Sequence, residues 1–534
     1  MTNQKEKNSH KIRSDHANIQ TEKVFEWWDY PIFVFLTGLS FFAIAYFLLY
    51  WFSLNDWRAY PVSFSIMTLM LLVILANNQG RWFLLLFMKR PIPIVARSGW
   101  KVAVVTTFVP RGESLEMLEE SIKALLALDY PHDTWVLDEG NDEQVKATCQ
   151  RLGANHFSRS VFARYQTENG NFQSGSKYGN YNAWLYEIGF DQYEFITAFD
   201  PDHVPNPDFL SHVLGYFEDP KVAYVQAAQA YYNQRASFIA RGAAEETYSY
   251  YSSVQMAGYG LGYPILIGSH NTHRVSALKQ MGGFAAHDAD DLLLTLLYRV
   301  RGWQGVYVPR ILARGLTPVD WRGYLHQQRR WARSVLDIKL RIFPRQATNL
   351  SLKTWVISFL HGLNYLHRSI AIFMGFILMS YMLTSGVVPN VVSYPTLPKL
   401  AILYAVLQLC EFYRQRFYLD WKSEWGLHWR GGVLQLAKWP YFILALYDVL
   451  ARRRIPYTLT RKTRAKSRHH MLLWAHMPVA TLICAFWIIG TISGRNTSPF
   501  LHACAAIVVM GLVVLIMTER MKFPHPYEKN LRAE

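Results

Sequence analysis

The chain has 534 residues, 51% hydrophobic and 15% aromatic, with a formal net charge of +16. That length leaves room for more than one structural unit, and the mean hydropathy of +0.01 averages two very different kinds of sequence. Cys149, Cys410, Cys484 and Cys504 have no metal-ligand spacing and three lie in apolar runs, so they read as packing residues, not as a disulfide framework or a zinc site.

After a polar tail at 1–30, residues 31–52 ("PIFVFLTGLSFFAIAYFLLYWF") carry no charge and are long enough to cross a bilayer, which takes roughly 20 residues. The long polar stretch before them, with no small-residue cleavage site after, argues against a cleavable signal peptide. A second span begins near Pro61, so 31–90 reads as two transmembrane helices. From 98 to 343 no long apolar run appears. Spans resume near 369–388, 400–418 (interrupted by Glu411 and Arg414), 471–493 and 498–518, giving about six. Lys and Arg crowd the tail, the segment before Ser98, the 452–468 stretch and the end of the chain at 519–534, whereas the loops at 53–60, 389–398 and 494–497 are poor in them. The positive-inside rule then places both termini and the soluble segment in the cytoplasm, and much of the +16 is topological, with no need of a nucleic-acid partner. The apolar stretch 431–450 would put the basic loop on the wrong side if it spanned. It reads as a helix lying in the interface, extending to about 452.

The soluble segment alternates strands and helices, the pattern of an α/β domain with a parallel sheet whose ligands sit at the carboxyl ends of strands. "KVAVVTTF" (101–108) is a strand, "SLEMLEESIKALLAL" a helix with a Ser N-cap, and "TWVLDEG" a second strand closing on Asp138 and Glu139. A later strand ends in Asp200 and Asp202 with Pro201 between. Two such carboxylates suit Mg²⁺ or Mn²⁺ on a phosphate, while a solvated Asp-Pro-Asp turn is the ordinary alternative. In "HDADDLLLTLLYRVRG" (287–302), Asp288 is placed to cap a helix carrying Asp290 and Asp291 in its first turn. One of these carboxylates can act as a general base. In "PVDWRGYLHQQRRWARS", Asp320 is an N-cap, and Gln327, Arg330 and Trp331 share one helical face. Such a face suits a sugar ring and a diphosphate, or equally a membrane interface.

The order of these motifs between transmembrane segments resembles the membrane-integrated family 2 glycosyltransferases, the cellulose, hyaluronan and chitin synthases, and most of all the bacterial cellulose synthase catalytic subunit. "VLDEG", "SKYGNYNAW", "FDPDHVPNPDFL" and "QQRRWARS" match its motifs over about 101–341, and "PYTLTRK" (456–462) is similar to its gating loop. The resemblance implies a GT-A-type domain at 98–343 and a transmembrane channel region at 354–518, with the gating loop at 456–466. It places Thr107, Glu113, Asp138, Lys177, Asp200, Gln327 and Arg330 on the nucleotide sugar, with the metal, Mg²⁺ or Mn²⁺, on Asp200 and Asp202. It assigns Asp291 as the base beside Asp290, in a motif that here reads Ala289-Asp290-Asp291. Gly268, Ser269, His287 and Trp331 fall at the acceptor, and Tyr457, Thr460 and Lys462 in the gating loop. Ile267 stands where cellulose synthase has Cys, which leaves sugar and linkage open. The residues after the last span are too few for the cyclic-dinucleotide domain that bacterial cellulose synthases carry.

The implied function is a processive, inverting transferase of the bacterial inner membrane. It would polymerise a UDP-sugar, UDP-glucose first among them, and pass the chain across the bilayer through its own helices, with an accessory export subunit or a second copy as candidate partners. The alternatives are a hyaluronan- or chitin-like synthase using UDP-N-acetylglucosamine, a non-processive transferase with a lipid acceptor, and a transporter or structural membrane protein. The last leaves acids at strand ends without a role.

Overall fold

The computed structural model describes residues 19–110, 113–362, 364–453 and 471–518. Tyr457, Thr460 and Lys462 lie outside the described residues. Two apolar helices, α1 (Asp29–Ser53) and α2 (Pro61–Phe83), come first. They are joined by stacking of Phe33 on Trp82, 4.9 Å between centroids, and by a hydrogen bond from Trp51 Nε1 to Thr68 Oγ1 of 2.9 Å.

The segment that follows is built on eight strands: β1 (Val102–Phe108), β2 (Asp133–Asp138), β3 (Asn155–Phe157), β4 (Phe195–Phe199), β5 (Val204–Pro205), β6 (Val222–Tyr231), β7 (Asn271–Arg274) and β8 (Gln304–Gly315). Their order across the sheet is β3-β2-β1-β4-β7-β6-β8-β5. β1 and β4 are buried on both faces and carry continuous apolar, β-branched sequence, as strands covered by helices on both sides must. Alternation of strands and helices predicts an all-parallel sheet; the observed sheet is mixed. β7 runs antiparallel to both β4 and β6, and β5 antiparallel to β8. The cause is the route of the chain, because residues 263–270 cross the carboxyl ends of the other strands before β7 and the strand must run back.

The covering helices that matter for the site are α3 (Leu115–Leu126), α4 (Glu143–Leu152), α5 (Lys177–Trp184), α6 (Phe238–Glu245), α7 (Asp290–Val300) and α8 (Trp321–Asp337). Ser114 caps α3 by accepting from the Met117 N–H, and Asp320 caps α8 by accepting from the Gly323 N–H at 2.8 Å, both as the sequence implies. Asp288 does not cap α7. Ala289 holds the N-cap position without a side-chain bond, and Asp288, one residue before it, faces Arg333 at 3.5 Å.

Five further long helices complete the chain: α9 (Asn364–Ser385), α10 (Thr396–Arg414), α11 (Trp429–Leu450), α12 (Met471–Ile492) and α13 (Pro499–Thr518). Among the described residues six helices are long and apolar enough to cross a membrane: 29–53, 61–87, 365–385, 429–450, 475–492 and 499–518. α10 is not among them, yet it packs on α1, with Tyr413 OH donating to Asp29 Oδ1 at 2.6 Å. α11 qualifies by length and composition, but 56% of its most apolar window is buried inside the protein. Its buried side carries charge. Lys438 donates to both carboxylate oxygens of Glu246 at 2.9 Å, and Asp448 accepts from Arg329 of α8 at 2.6 Å. Partnered charges of this kind belong to a helix docked on protein more than on lipid.

Candidate active site

The site lies at the carboxyl ends of β1, β2 and β4, where an α/β sheet leaves backbone groups and short loops free for ligands. β2 ends in Asp138, fully buried. Its Oδ1 accepts the Gly140 N–H at 2.9 Å, and its Oδ2 accepts the Asp142 N–H at 2.5 Å and lies 3.2 Å from His156 Nε2. The carboxylate therefore organises its own turn. Glu139 turns the other way and holds Arg159 through two hydrogen bonds, Nε to Oε2 at 2.9 Å and Nη2 to Oε1 at 2.6 Å. Arg159 is fully buried and also donates to the carbonyls of Phe172, Gln173 and Ser176. That bidentate pair fixes the loop that leads into α5. Gly179 belongs to this arrangement: a Cβ there would sit 2.6 Å from Arg159 Nη1. Nothing at Arg159 in the sequence advertises the role, because its partner is 20 residues upstream and their pairing follows no periodicity.

α5 starts at Ser176, whose hydroxyl accepts the Gly179 N–H, and so aims Lys177 at the strand ends. Lys177 Nζ donates to Asp200 Oδ1 and to the Gly268 carbonyl, each at 2.5 Å. Burial works against its ammonium, but Asp200, Tyr181 and Asp290 together outweigh that cost and hold the proton more tightly than on an ordinary lysine. Asp200, Asp202 and His203 offer ligand atoms all within 4.8 Å of one another. Two carboxylates and one imidazole at that spacing fit a divalent cation. His203 was missed by sequence reasoning, although it directly follows Asp202; the Asp-Pro-Asp-His run is the signal that was there. Its ring packs edge-on against His270, 4.5 Å between centroids, and a Cβ on Gly315 would reach 2.2 Å from its Nε2. Thr107 sits in β1 opposite Leu137 of β2. Glu113 accepts the Val109 N–H at 2.8 Å, and burial, with Asp202 and Asp200 adding to it, raises its carboxyl to about 8.

Across from Lys177 stand Asp290 and Asp291 at the start of α7. Together with Lys177, Gly268 and Tyr181 they line one cavity, floored by Leu266 and Phe284. Burial, then the neighbouring Asp291 charge, raises Asp290 to about 7, and burial raises Asp291 as well. Asp291 Oδ1 accepts the Leu292 N–H at 2.7 Å, and Oδ2 lies 3.7 Å from where a Cβ on Gly268 would sit. A side chain at 268 would therefore enter the gap between Asp291 and Lys177. Ser269 Oγ accepts the Asp200 N–H at 3.0 Å, and buried Gln226 on β6 holds the 267–270 loop through Ile267 N, Ser269 O and His270 O. Ile267 itself packs on the apolar cluster of Trp82, Leu85 and Tyr251.

Of the α8 residues, Gln327 is buried, and Arg330 and Trp331 are half-buried. The Arg330 charge acts on Asp291. His287 is occupied differently: its Nδ1 accepts the Ala289 N–H at 3.0 Å and its Nε2 lies 3.2 Å from Asp337 Oδ2, so it ties the 285–289 loop to α8. The structure thus brings Lys177, Asp200, Gly268, Asp290 and Asp291 together, sets Asp202 and His203 beside them, and gives Asp138 and His287 structural partners.

Residues 102–334 match the model of the glycosyltransferase-like family 2. Cellulose synthase 2 of Novacetimonas hansenii is 28% identical over 261 residues, 47% of this chain and 15% of its own length. A probable glucomannan 4-beta-mannosyltransferase of Oryza sativa subsp. japonica is 25% identical over 310 residues, 56% of this chain and 52% of its own. The match thus spans about half the mannosyltransferase and a far smaller share of the cellulose synthase. Among solved structures, a mannosyltransferase from Pyrobaculum calidifontis in complex with GDP-Man and Mn²⁺ superposes with a TM-score of 0.45 at 14% identity, over 79% of this chain and 99% of that one. The match to the glycosyltransferase-like family 2 thus falls on the sheet and its strand-end acids, the segment set between the long apolar helices.

Proposed function

We propose that the protein is an inverting glycosyltransferase that extends a β-linked glycan from a nucleotide-activated hexose and passes the product across a membrane through its own helices. UDP-glucose is the first donor to test. The observation that carries this is one cavity shared by Asp291 and Lys177, the lysine donating to Asp200, on a domain where Asp200, Asp202 and His203 offer three ligand atoms for a cation. The setting is a plasma (bacterial inner) membrane with the domain on the cytoplasmic side.

In this reading Asp291 takes the proton from the acceptor hydroxyl as that oxygen bonds to the anomeric carbon. An inverting transfer requires such a base on the acceptor side. Burial keeps its basicity above that of a surface carboxylate, which suits proton transfer near neutral pH. Lys177 and Arg330 stand where negative charge develops on the departing diphosphate. Asp200, Asp202 and His203 would hold a divalent ion, Mg²⁺ or Mn²⁺, which supplies Lewis-acid stabilisation to the leaving group. Glu139 and Arg159 set the loop that presents Lys177. Trp331 offers the flat apolar surface against which a pyranose ring rests.

A second donor class has its own support: the plant relatives that cover more than half of this chain are named mannosyltransferases. The test is release of nucleoside diphosphate by the purified protein with divalent cation, from glucosyl, N-acetylglucosaminyl, glucuronosyl and mannosyl donors in turn. Alcohol-insoluble product from one donor establishes the polymerase. Release of nucleoside diphosphate without polymer turns the reading to transfer of one sugar at a time.

A further inference from the structure

The ends of three long helices nearest the glycosyltransferase domain carry an excess of positive charge. Arg81 lies near the end of α2, Arg368 in the first turns of α9 and Arg414 at the end of α10, with Lys438 on α11. Two carboxylates oppose these four cations: Glu246, which binds Lys438 and Tyr324, and Glu411, which pairs with Arg414. Arg81 donates only to the Ser249 hydroxyl, at 3.1 Å. Arg368 makes no hydrogen bond or ion pair among the described residues.

These groups face one another. The charges acting on Arg368 are those of Glu246, Arg414 and Glu411, and those acting on Arg81 are Arg414, Glu411 and Arg368. Lys438 feels Arg368 as well as Glu246. An arginine that merely reached for lipid headgroups would point out of the bundle, away from such neighbours. Arg368 is nevertheless exposed, and Arg81, Glu246 and Glu411 are half-buried, so the four groups do not form a sealed core. Tyr365 feels the charges of both Asp291 and Glu246, and Tyr250 feels both Tyr365 and Asp291, so these groups lie within electrostatic reach of one another.

Arg368 and Arg81, beside Arg414 and Lys438 and with one hydrogen bond to a neutral hydroxyl between them, leave a local excess of positive charge that a compensating anion would balance. We propose that this space binds an oxyanion carried by the acceptor, with Arg368 and Arg81 as its direct ligands. The inference deepens the proposed function and rests on Asp291 as the acceptor-side base. The shared chemistry is a carboxylate or phosphate oxygen on a planar guanidinium. It has two sources, a uronate on the growing glycan or the phosphate of a lipid carrier.

The test uses the full chain in detergent with Mn²⁺ and whichever donor gives nucleoside diphosphate release. Three acceptors are compared: cellohexaose, an oligoglucuronate of equal length and a polyprenyl phosphate in mixed micelles. One anionic acceptor is expected to accelerate release about tenfold more than cellohexaose, the size of one charge-assisted hydrogen bond. Arg368→Gln should bring that ratio near one, and Arg368→Lys should keep part of it, which separates lost charge from lost fold. Which anionic acceptor accelerates identifies the source. Equal acceleration by cellohexaose, or a ratio unchanged in Arg368→Gln, overturns the proposal. If no donor releases nucleoside diphosphate, the proposed function fails. Equilibrium binding of radiolabelled oligoglucuronate and polyprenyl phosphate to wild type and Arg368→Gln then decides the anion site by itself: loss of binding in the variant supports it, and no binding to either overturns it.

Discussion

The two halves of this site are built by different means. On the side proposed for the donor, Asp138, Asp200 and Asp202 sit at or just past strand ends and Lys177 at the first residue of α5, tied by backbone N–H groups and carbonyls. On the side proposed for the acceptor, α8 is held to α11 by Arg329 pairing with Asp448 and by Tyr324 donating to Glu246, which itself pairs with Lys438. Strand ends place residues to within a hydrogen bond whatever surrounds the sheet. Interhelical charge pairs place them only while both helices stay docked. The donor half should therefore tolerate changes in the membrane region, and the acceptor half should not.

The largest effect expected is on chemistry. Asp291→Asn keeps shape and removes the base, so release of nucleoside diphosphate should fall about 10²–10⁴-fold with the thermal midpoint little changed. A next, structural, effect comes from Lys438→Met, which removes the ion-pair partner of the largely buried Glu246 carboxylate. It should cost about 3–5 kcal/mol in unfolding measurements, and Glu246→Gln added to it should recover part of the loss. If the halves are as separate as described, Mn²⁺ affinity in Lys438→Met stays near that of wild type while polymer length falls.

Arg159→Lys strikes the donor half. It removes a bidentate contact to a carboxylate, worth about 1.5–3 kcal/mol for bonds to charged groups. Donor KM should rise while acceptor dependence is unchanged, readable in initial-rate kinetics.

The smallest and most diagnostic effect is on pH. Asp290 and Glu113 keep their protons in the metal-free fold to about 7 and about 8, whereas the unfolded chain releases them near 4. Over that window the native state binds more protons, so these groups favour folding at low pH and the benefit is lost as pH rises from about 4 to about 8. Metal-free protein should melt at a lower temperature at pH 8 than at pH 5.5, and Asp290→Asn should flatten the difference. A thermal midpoint that rises over this range in the metal-free protein, with Asp290→Asn unaltered, would contradict the placement of these carboxyls.

How much of this was legible in the sequence follows the same division. The strand-end acids, the Ser114 and Asp320 caps and the Lys-x-Gly-Asn element are local patterns, and each sits where the motif puts it. The antiparallel β7 was not legible, because the direction of a four-residue strand depends on which end of the sheet its loop crosses. Glu139–Arg159, Gln226 and the Glu246–Lys438 pair were not legible either, since each joins residues with no common period. Asp288 misled in the opposite way: an acid before a helix reads as a cap, yet Arg333 on α8 claims it.

The central claim is that Asp291, which shares one cavity with Lys177 while Asp200 accepts from that lysine, is the base of a glycosyl transfer. The most direct measurement is nucleoside diphosphate release by purified wild-type and Asp291→Asn protein with Mn²⁺ and each radiolabelled donor, with alcohol-insoluble label counted in parallel. Release and insoluble label from one donor by wild type, both lost in Asp291→Asn while that variant still binds Mn²⁺ and donor, is the result predicted. Equal release by the two proteins, or none from any donor by wild type, would contradict it.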